Sequence, residues 1–201
     1  MILVVDYGMG NLRSVEKAFN RLGMDVLISS KPEDIEQMSK ILLPGVGHFK
    51  KGMENLKDRA LLEPLQKAKE EGKPILGICL GMQLLTSSSE EGNVNGLGFI
   101  ELNTKAFNVP NSIKVPHMGW NTLTVKEEIP LLDGISSDDS FYFAHSYRVE
   151  SDKSENIAAI TNYGEEFASV IHDRNVLGVQ FHPEKSHDSG LKLLKNFIDR
   201  Y

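Results

Sequence analysis

The feature that most constrains the fold is the segment at residues 74–85, where a short apolar run passes directly into residues with helical spacing. An uninterrupted apolar run of this kind is typical of a parallel strand buried on both faces. Gly77 and Gly81 lie two residues before and after Cys79, where a side chain would crowd a sharp turn. The segment therefore predicts a strand, a tight turn at Cys79 and a helix, which is the nucleophile-elbow pattern with a thiol.

Cys79 is the only cysteine in the chain, and the residues alone leave two interpretations of it open. At the start of a helix, unpaired N–H groups and the helix dipole favour thiolate over thiol. The Leu80 N–H is predicted to point toward the same space, where it can stabilise an oxyanion. A lone cysteine in an apolar run is also commonly an inert core residue. A base elsewhere in the chain must decide between the two.

Strands alternate with helices over the first 85 residues, which predicts βαβ units and a parallel sheet with helices on both faces. Asn11 is expected to cap the first helix. After a predicted polar loop at residues 87–93 the pattern changes, and short strands are expected at residues 97–102, 121–125, 140–143, 147–149, 158–161, 168–171 and 176–181, with a final helix at 191–198. We therefore expect an α/β fold: an open, mostly parallel sheet flanked by helices, with an antiparallel extension.

Composition limits the classes of protein to consider. With 201 residues, 40% of them hydrophobic, the chain suits one domain spanning residues 1–201. A net charge of -6 and the lack of a basic stripe argue against nucleic-acid binding. No apolar run is long enough for a membrane span, and the run at residues 1–5 is too short for a signal peptide. One cysteine fits a reducing compartment, so we expect a cytoplasmic protein.

The second chemical motif is His182-Pro183-Glu184, which follows the apolar strand predicted at residues 176–181. Residues two apart on an extended segment face the same side, so the imidazole and the carboxylate can meet. Glu184 can then hold the tautomer of His182, which can take the thiol proton and later give it to a leaving amine. Since active sites of open α/β sheets lie at the carboxyl ends of strands, we expect Cys79 and His182 to converge there.

The glycine-rich loops and the histidines admit fewer interpretations. The G-x-G at residues 8–10 lacks the third glycine and the acidic residue of a dinucleotide site. The loop at residues 44–49 either brings bare backbone close to a ligand or is an ordinary turn. The six histidines show no zinc spacing and there is no second cysteine, so we expect neither metal nor cofactor. The residues thus support a Cys-His-Glu hydrolase or acyl transferase that forms a thioester and releases ammonia or an amine, with the acyl donor unnamed.

Six segments carry a resemblance to a known family, namely residues 8–12, 44–49, 77–83, 116–121, 143–147 and 180–186. They resemble the class I glutamine amidotransferases, whose fold is flavodoxin-like, and within that class the glutaminase subunits of imidazole glycerol phosphate synthase. The triad pattern specifies only the class. The loop at Pro44, the stretch at Pro116 and residues 184–186 favour the subunit over the glutaminases of pyridoxal phosphate or anthranilate synthesis.

The resemblance implies that Cys79 attacks L-glutamine to give a glutamyl thioester and ammonia. It implies a (β/α)₈-barrel cyclase partner that uses the ammonia in histidine biosynthesis; free ammonia would become ammonium in water at pH 7, so a dry passage between the two proteins is required. By the same resemblance the glutamine would be held by Gly47, Gln83, His145, Ser146 and Tyr147. Positions near the docking face would be Asn11, Trp120, Tyr142 and Lys185.

Val46 departs from the wider class, in which many members have glycine at this position of the loop that supplies the second oxyanion donor. Because a β-branched residue resists positive φ, Val46 is expected to bias the Gly45–Val46 peptide so that its carbonyl, not its N–H, points into the site. We therefore expect the oxyanion hole, formed by Val46 and Leu80, to be incomplete until a partner acts. Two further alternatives stay open: a catalytically silent docking module and a stand-alone cysteine peptidase.

Overall fold

The computed structural model describes residues 1–152 and 155–201. Its helices are α1 (Leu12–Arg21), α2 (Pro32–Gln37), α3 (Phe49–Asp58), α4 (Leu62–Glu70), α5 (Leu80–Leu84) and α6 (His187–Arg200). Its strands are β1 (Ile2–Val5), β2 (Val26–Ser29), β3 (Lys40–Gly45), β4 (Ile75–Cys79), β5 (Thr86–Ser89), β6 (Val94–Asn95), β7 (Ile100–Ala106), β8 (His117–Thr122), β9 (Thr124–Val125), β10 (Ser140–His145), β11 (Tyr147–Val149), β12 (Ile157–Asn162), β13 (Glu166–Asp173) and β14 (Val176–Val179). Two 3₁₀ turns, Pro130–Leu132 and Pro183–Lys185, complete the described elements.

The main sheet runs in the order β2-β1-β3-β4-β14-β13-β11-β7-β5-β6, with β12 and β9 attached beside β13. Strands β2, β1, β3, β4 and β14 are parallel. The ladder turns antiparallel where β14 meets β13. This arrangement places the carboxyl ends of β3, β4 and β14 side by side, which is where an open α/β sheet holds its ligands.

A second, two-stranded antiparallel sheet is formed by β8 and β10. Its register pairs Trp120 with Tyr142 near one end and His117 with His145 at the other. The sheet is tied to the end of β14 because the His182 N–H donates to the Tyr142 carbonyl at 2.8 Å. The β8–β10 ribbon therefore runs alongside the carboxyl edge of the main sheet.

Helices cover both faces of the parallel strands and bury two apolar clusters. One cluster includes Phe19 of α1 and Phe197 of α6, packed against alternate side chains of the sheet such as Val4. The other includes Leu56 of α3 and Leu65 of α4. Strands buried on both faces explain why β1 and β4 are apolar at every position rather than alternating.

The expected α/β architecture, a mostly parallel sheet with an antiparallel extension, is confirmed. Several local expectations were wrong or shifted; the strand expected at residues 121–125 is divided between β8 and β9, and the helix expected at 191–198 spans His187–Arg200. The predicted polar loop at residues 87–93 contains β5, whose serines occupy short ladders with β6 and β7. The strand expected at residues 97–102 lies at Ile100–Ala106, and the strand expected at 176–181 ends at Val179. No helix in the described part of the chain combines the length and apolar character that crossing a membrane requires.

Candidate active site

Cys79 lies at the tip of a strained turn between β4 and α5. Its backbone has φ 54° and ψ −109°, a conformation that a residue with a side chain adopts only under constraint. The constraint comes from close backbone packing: a Cβ on Gly77 would lie 2.7 Å from the Gly81 carbonyl, and one on Gly81 would overlap the Leu43 carbonyl oxygen. The two glycines are therefore required by the turn that presents the sulfur.

His182 and Glu184 meet as the sequence predicts. The His182 Nδ1 and the Glu184 Oε1 are 2.8 Å apart, and both side chains are almost fully buried. Burial by itself lowers the pKa of His182, but the hydrogen bond with Cys79, then the one with Glu184, and the charges of both raise it to about 10. The sulfur of Cys79 and the carboxylate of Glu184 therefore both favour the imidazolium form of His182.

Two further groups surround the sulfur. The Ala144 carbonyl lies 3.8 Å from the Cys79 Sγ, and the Gln180 Nε2 lies 3.8 Å from it on another side. Gln180 also accepts a hydrogen bond from the Gln83 Nε2 at 2.9 Å. Gln180 was not predicted as a site residue, although it stands two positions before His182 on the same strand end, where the same-side rule could have found it.

The sulfur opens into a cavity of about 350 Å³. All of the predicted oxyanion and substrate-binding residues line it together with Cys79, namely Val46, Gly47, Leu80, Gln83, His145, Ser146 and Tyr147. His182 and Glu184 are not among its lining residues, and they reach the cavity through the Cys79 sulfur, which His182 contacts. The cavity is therefore of a size for a small molecule, with one thiol in its wall.

Glu91 lines the same cavity and was missed by the sequence analysis, which placed it in a featureless polar loop. Its Oε2 accepts a hydrogen bond from the Phe49 N–H at 2.6 Å, at the start of α3. This contact caps a helix whose own N-cap residue, His48, makes no side-chain cap. Glu91 thus places a carboxylate in the cavity and fixes the helix that follows residues 44–48.

His145 belongs to a buried chain of hydrogen bonds whose protons can be assigned. Its Nδ1 donates to the Tyr147 carbonyl at 2.7 Å, so its Nε2 accepts from the His117 Nδ1 at 3.0 Å. The His117 Nε2 then accepts from the Asn121 amide at 3.4 Å. Burial lowers the pKa of His117 to about 4; for His145, burial, then the charges of His117 and His182, outweigh the Tyr147 hydrogen bond and lower the pKa to about 3. Both rings are therefore neutral. We call this chain of hydrogen bonds, from Tyr147 through His145 and His117 to Asn121, the histidine relay; the separate sequence motifs did not reveal it.

The loop after β3 is set against the elbow by the sheet itself. Gly45 pairs with Cys79 in the parallel ladder, and Ile41 donates to the Pro74 carbonyl at 2.9 Å. In a parallel ladder, every second residue points its backbone N–H and C=O groups toward the same neighbouring strand. We therefore infer that Gly45, four residues after Ile41, is oriented like Ile41 and directs its carbonyl toward the Leu80 N–H. The sequence predicts that the Leu80 N–H points toward the space beside the sulfur, where it can stabilise an oxyanion. With the Gly45 carbonyl inferred to face it, this N–H is instead covered.

Three of the four residues expected near a docking face, Trp120, Tyr142 and Lys185, lie together and form one rim. Trp120 is 48% exposed and contacts the Tyr142 ring edge to face, with centroids 5.9 Å apart. The Lys185 Nζ lies 5.8 Å from the centre of the Tyr142 ring. Asn11 accepts a hydrogen bond from the Ser14 N–H at 3.3 Å, so it caps α1 as predicted. In the described residues the Trp120 ring, stacked on His187 at 5.0 Å, presents an exposed aromatic surface at this rim.

The family model described as glutamine amidotransferase class-I matches residues 3–200. Imidazole glycerol phosphate synthase subunit HisH 2 of Methanococcus maripaludis is 48% identical over 199 residues, covering 98% of each chain. Subunit HisH 1 of Campylobacter jejuni is 46% identical, covering 98% of this chain and 99% of the relative.

Solved structures agree on the fold. PurLQS from Thermotoga maritima superposes with a TM-score of 0.76 at 20% identity, covering 99% of this chain and 97% of that one. The glutaminase domain of CTPS from Trypanosoma brucei gives a TM-score of 0.67 at 17% identity, covering 98% of this chain and 92% of that one. The matched family model, with relatives of nearly full length, shows that the chain belongs to the class I glutamine amidotransferases.

Proposed function

We propose that residues 1–201 form one amidotransferase domain that hydrolyses L-glutamine to glutamate and ammonia, as the glutaminase subunit of an imidazole glycerol phosphate synthase. The observation that carries the proposal is the contact of Cys79 with the buried His182–Glu184 pair at the wall of a small cavity. The names of the relatives, which are subunits of that synthase, supply the metabolic setting.

The reaction uses Cys79, His182 and Glu184 in turn. The Cys79 sulfur attacks the side-chain amide carbon of glutamine, and the carbonyl becomes a tetrahedral oxyanion. His182 gives its proton to the amide nitrogen, so the carbon–nitrogen bond breaks and ammonia leaves a glutamyl thioester. His182 then takes a proton from water, which attacks the thioester and releases glutamate. Glu184 holds the Nδ1 proton of His182 throughout and stabilises the imidazolium.

The cavity supports glutamine as the substrate because its polar groups match an amino acid. Glu91 is a carboxylate suited to the α-ammonium group, and only one of its oxygens is used by the Phe49 N–H. Gln83 is fixed by its contacts with the Tyr147 carbonyl and Gln180, both 2.9 Å, so it presents its remaining surface in one orientation. The backbone of Gly47, with φ +114°, and of residues 145–147 completes the walls.

The oxyanion would be stabilised by the N–H groups of Leu80 and Val46. In the form described above, the inferred direction of the Gly45 carbonyl covers the Leu80 N–H, which supports a glutaminase with low activity by itself. Turning the Gly45–Val46 peptide would remove the carbonyl and bring the Val46 N–H toward the cavity. One such donor is worth about 3 kcal/mol, or roughly a hundredfold or more in rate.

The partner in this proposal is a (β/α)₈-barrel cyclase that consumes the ammonia. Its docking face would include Asn11 and the rim formed by Trp120, Tyr142 and Lys185, where an aromatic ring is exposed. Aromatic anchors are typical of the centre of protein interfaces. Ammonia delivered through a dry contact would stay unprotonated and nucleophilic, whereas ammonia released into water at pH 7 would not.

The experiment is to measure glutamate release from L-glutamine by the chain alone and with candidate cyclase barrels plus their ligand. We expect slow release alone and a large increase with the matching barrel. Cys79→Ala should abolish both without changing the circular dichroism spectrum, since the cysteine side chain loses only one buried atom. The Asn93→Ala variant, in a turn outside the cavity, is the matched control. Hydrolysis of peptides but not of glutamine would contradict the proposal.

A further inference from the structure

Tyr7 is a buried polar group that the proposed mechanism does not use. It stands two residues after the end of β1, and its side chain is 0% exposed. Its hydroxyl oxygen has no hydrogen-bond partner among the described residues. Leaving a buried hydroxyl unpaired destabilises a folded protein, and phenylalanine would fill the same space without that cost. The hydroxyl therefore needs an explanation.

The hydroxyl lies directly against Gly45. A Cβ on Gly45 would overlap the Tyr7 hydroxyl oxygen, and the same point is 3.0 Å from the Leu80 Cβ and 3.2 Å from the Gly81 nitrogen. Tyr7 thus reaches under the last residue of β3, at the base of the elbow. Gly45 also begins the peptide whose orientation decides whether a carbonyl or an N–H faces the cavity.

The Tyr7 hydroxyl is available as a donor. Burial raises its pKa above the ordinary value, and the nearby charge of Cys79 raises it further. The side chain is therefore a neutral phenol whose proton has no acceptor in this form of the loop. Rotation about the Gly45 Cα–C bond turns the carbonyl oxygen about an axis that begins at the Gly45 Cα, and the hydroxyl lies against this residue.

We propose that Tyr7 is a positioning residue whose hydroxyl donates to the Gly45 carbonyl once the Gly45–Val46 peptide has turned, and so stabilises the form with the Val46 N–H in the cavity. The inference rests on the proposed function and deepens its regulation. In the covered form the Gly45 carbonyl faces the Leu80 N–H, and in the open form the Val46 N–H faces the cavity. The unpaired hydroxyl disfavours the covered form and the new hydrogen bond favours the open form, so both effects act in the same direction.

The test is Tyr7→Phe, which removes one oxygen and keeps the ring. Tyr201→Phe is the matched control, because it removes the same atom from a tyrosine at the C-terminal end, outside the cavity. We expect Tyr7→Phe to lower the barrel-stimulated kcat for glutamate release about tenfold, with KM for glutamine within twofold and Tm unchanged or higher. Alkylation of Cys79 by iodoacetamide needs no oxyanion hole, so its rate should stay within twofold of wild type.

Several outcomes would overturn the inference. An unchanged stimulated kcat would show that the hydroxyl contributes nothing to the open form. A parallel fall in alkylation rate would mean that Tyr7 acts on the Cys79 sulfur itself, and a lower Tm with lower kcat would indicate simple packing. A wild-type chain that releases no glutamate contradicts the proposed function instead. In that case a crystal structure of Cys79 alkylated by 6-diazo-5-oxo-L-norleucine decides the matter: a Tyr7 hydroxyl beyond 3.5 Å from the Gly45 oxygen, a limit typical of hydrogen bonds, refutes the inference.

Discussion

Replacing Glu184 with glutamine is the sharpest test of how the buried pair works. The Glu184 Oε1 accepts from the His182 Nδ1 at 2.8 Å, and a glutamine oxygen can accept the same hydrogen bond. The change therefore removes the charge while the shape is kept. A hydrogen bond to a charged partner contributes roughly 1.5 to 3 kcal/mol, so we expect kcat/KM for glutamine to fall about 10- to 150-fold.

The pH dependence gives a second readout of the same variant. Glu184 is one of the two groups that raise the pKa of His182 to about 10. A raised pKa stabilises the folded protein below the ordinary pKa of histidine, about 6.5, and that contribution is lost as pH rises through the folded value. In Glu184→Gln the pKa of His182 falls. The alkaline limb of the kcat/KM profile should therefore move to lower pH, and the Tm difference from wild type should shrink between pH 6 and 10.

The assay is glutamate release with the cyclase barrel present, together with thermal unfolding at each pH. Glu127→Gln is the control, because Glu127 makes an exposed pair with His172 at 3.0 Å away from the cavity. That variant should keep wild-type kinetics. If Glu184→Gln retained full kcat/KM and an unshifted alkaline limb, the role assigned to the carboxylate would be refuted.

Two other predictions concern the loop and the histidine relay. Val46→Gly should raise glutamate release by the isolated chain by up to roughly a hundredfold, because glycine lets the Gly45–Val46 peptide turn and supply the second oxyanion donor. Val46 is 42% exposed, so the substitution should leave the core intact, and Val125→Gly, at 37% exposure outside the cavity, should not change the rate. Unchanged basal release with an intact fold would count against the loop hypothesis. The lowered pKa values of His117 and His145 mean that the unfolded chain binds more protons than the folded one below pH 6.5. Stability should therefore fall by up to about 1.4 kcal/mol per pH unit for each ring as pH drops from 6.5 toward 4, and thermal unfolding of His145→Asn should show a shallower fall; an equally steep fall would exclude the relay as its source.

The elbow and the acid–base pair could be predicted because their chemistry is local in sequence. Glycines at fixed distances from Cys79 and a carboxylate two residues after His182 define geometry within a few residues. Active sites of open α/β sheets lie at the carboxyl ends of strands, so Cys79 and His182 were expected to meet over one edge of the sheet. The structure brings their side chains together. The catalytic roles remain our proposal.

The missed groups depend on contacts between distant segments. Glu91 reaches the cavity only because β5 and β6 fold its loop against the start of α3, and serine-rich sequence gives no strand signal. His117 and His145 meet through the register of β8 with β10, which no spacing of histidines in the sequence reveals. Tyr7 stands directly before the G-x-G at residues 8–10, and nothing local in the sequence indicates that its hydroxyl lies against Gly45.

The β8–β10 ribbon has a mechanical consequence. One end bears Trp120 beside Tyr142, and the other carries the Ala144 carbonyl, 3.8 Å from the sulfur. The same strand holds the main chain of His182 through Tyr142. The ribbon therefore contacts the His182 main chain at the end that bears the exposed aromatic ring and the Cys79 sulfur toward its other end. We therefore expect a partner that binds at the Trp120 end to change turnover without placing any atom in the cavity.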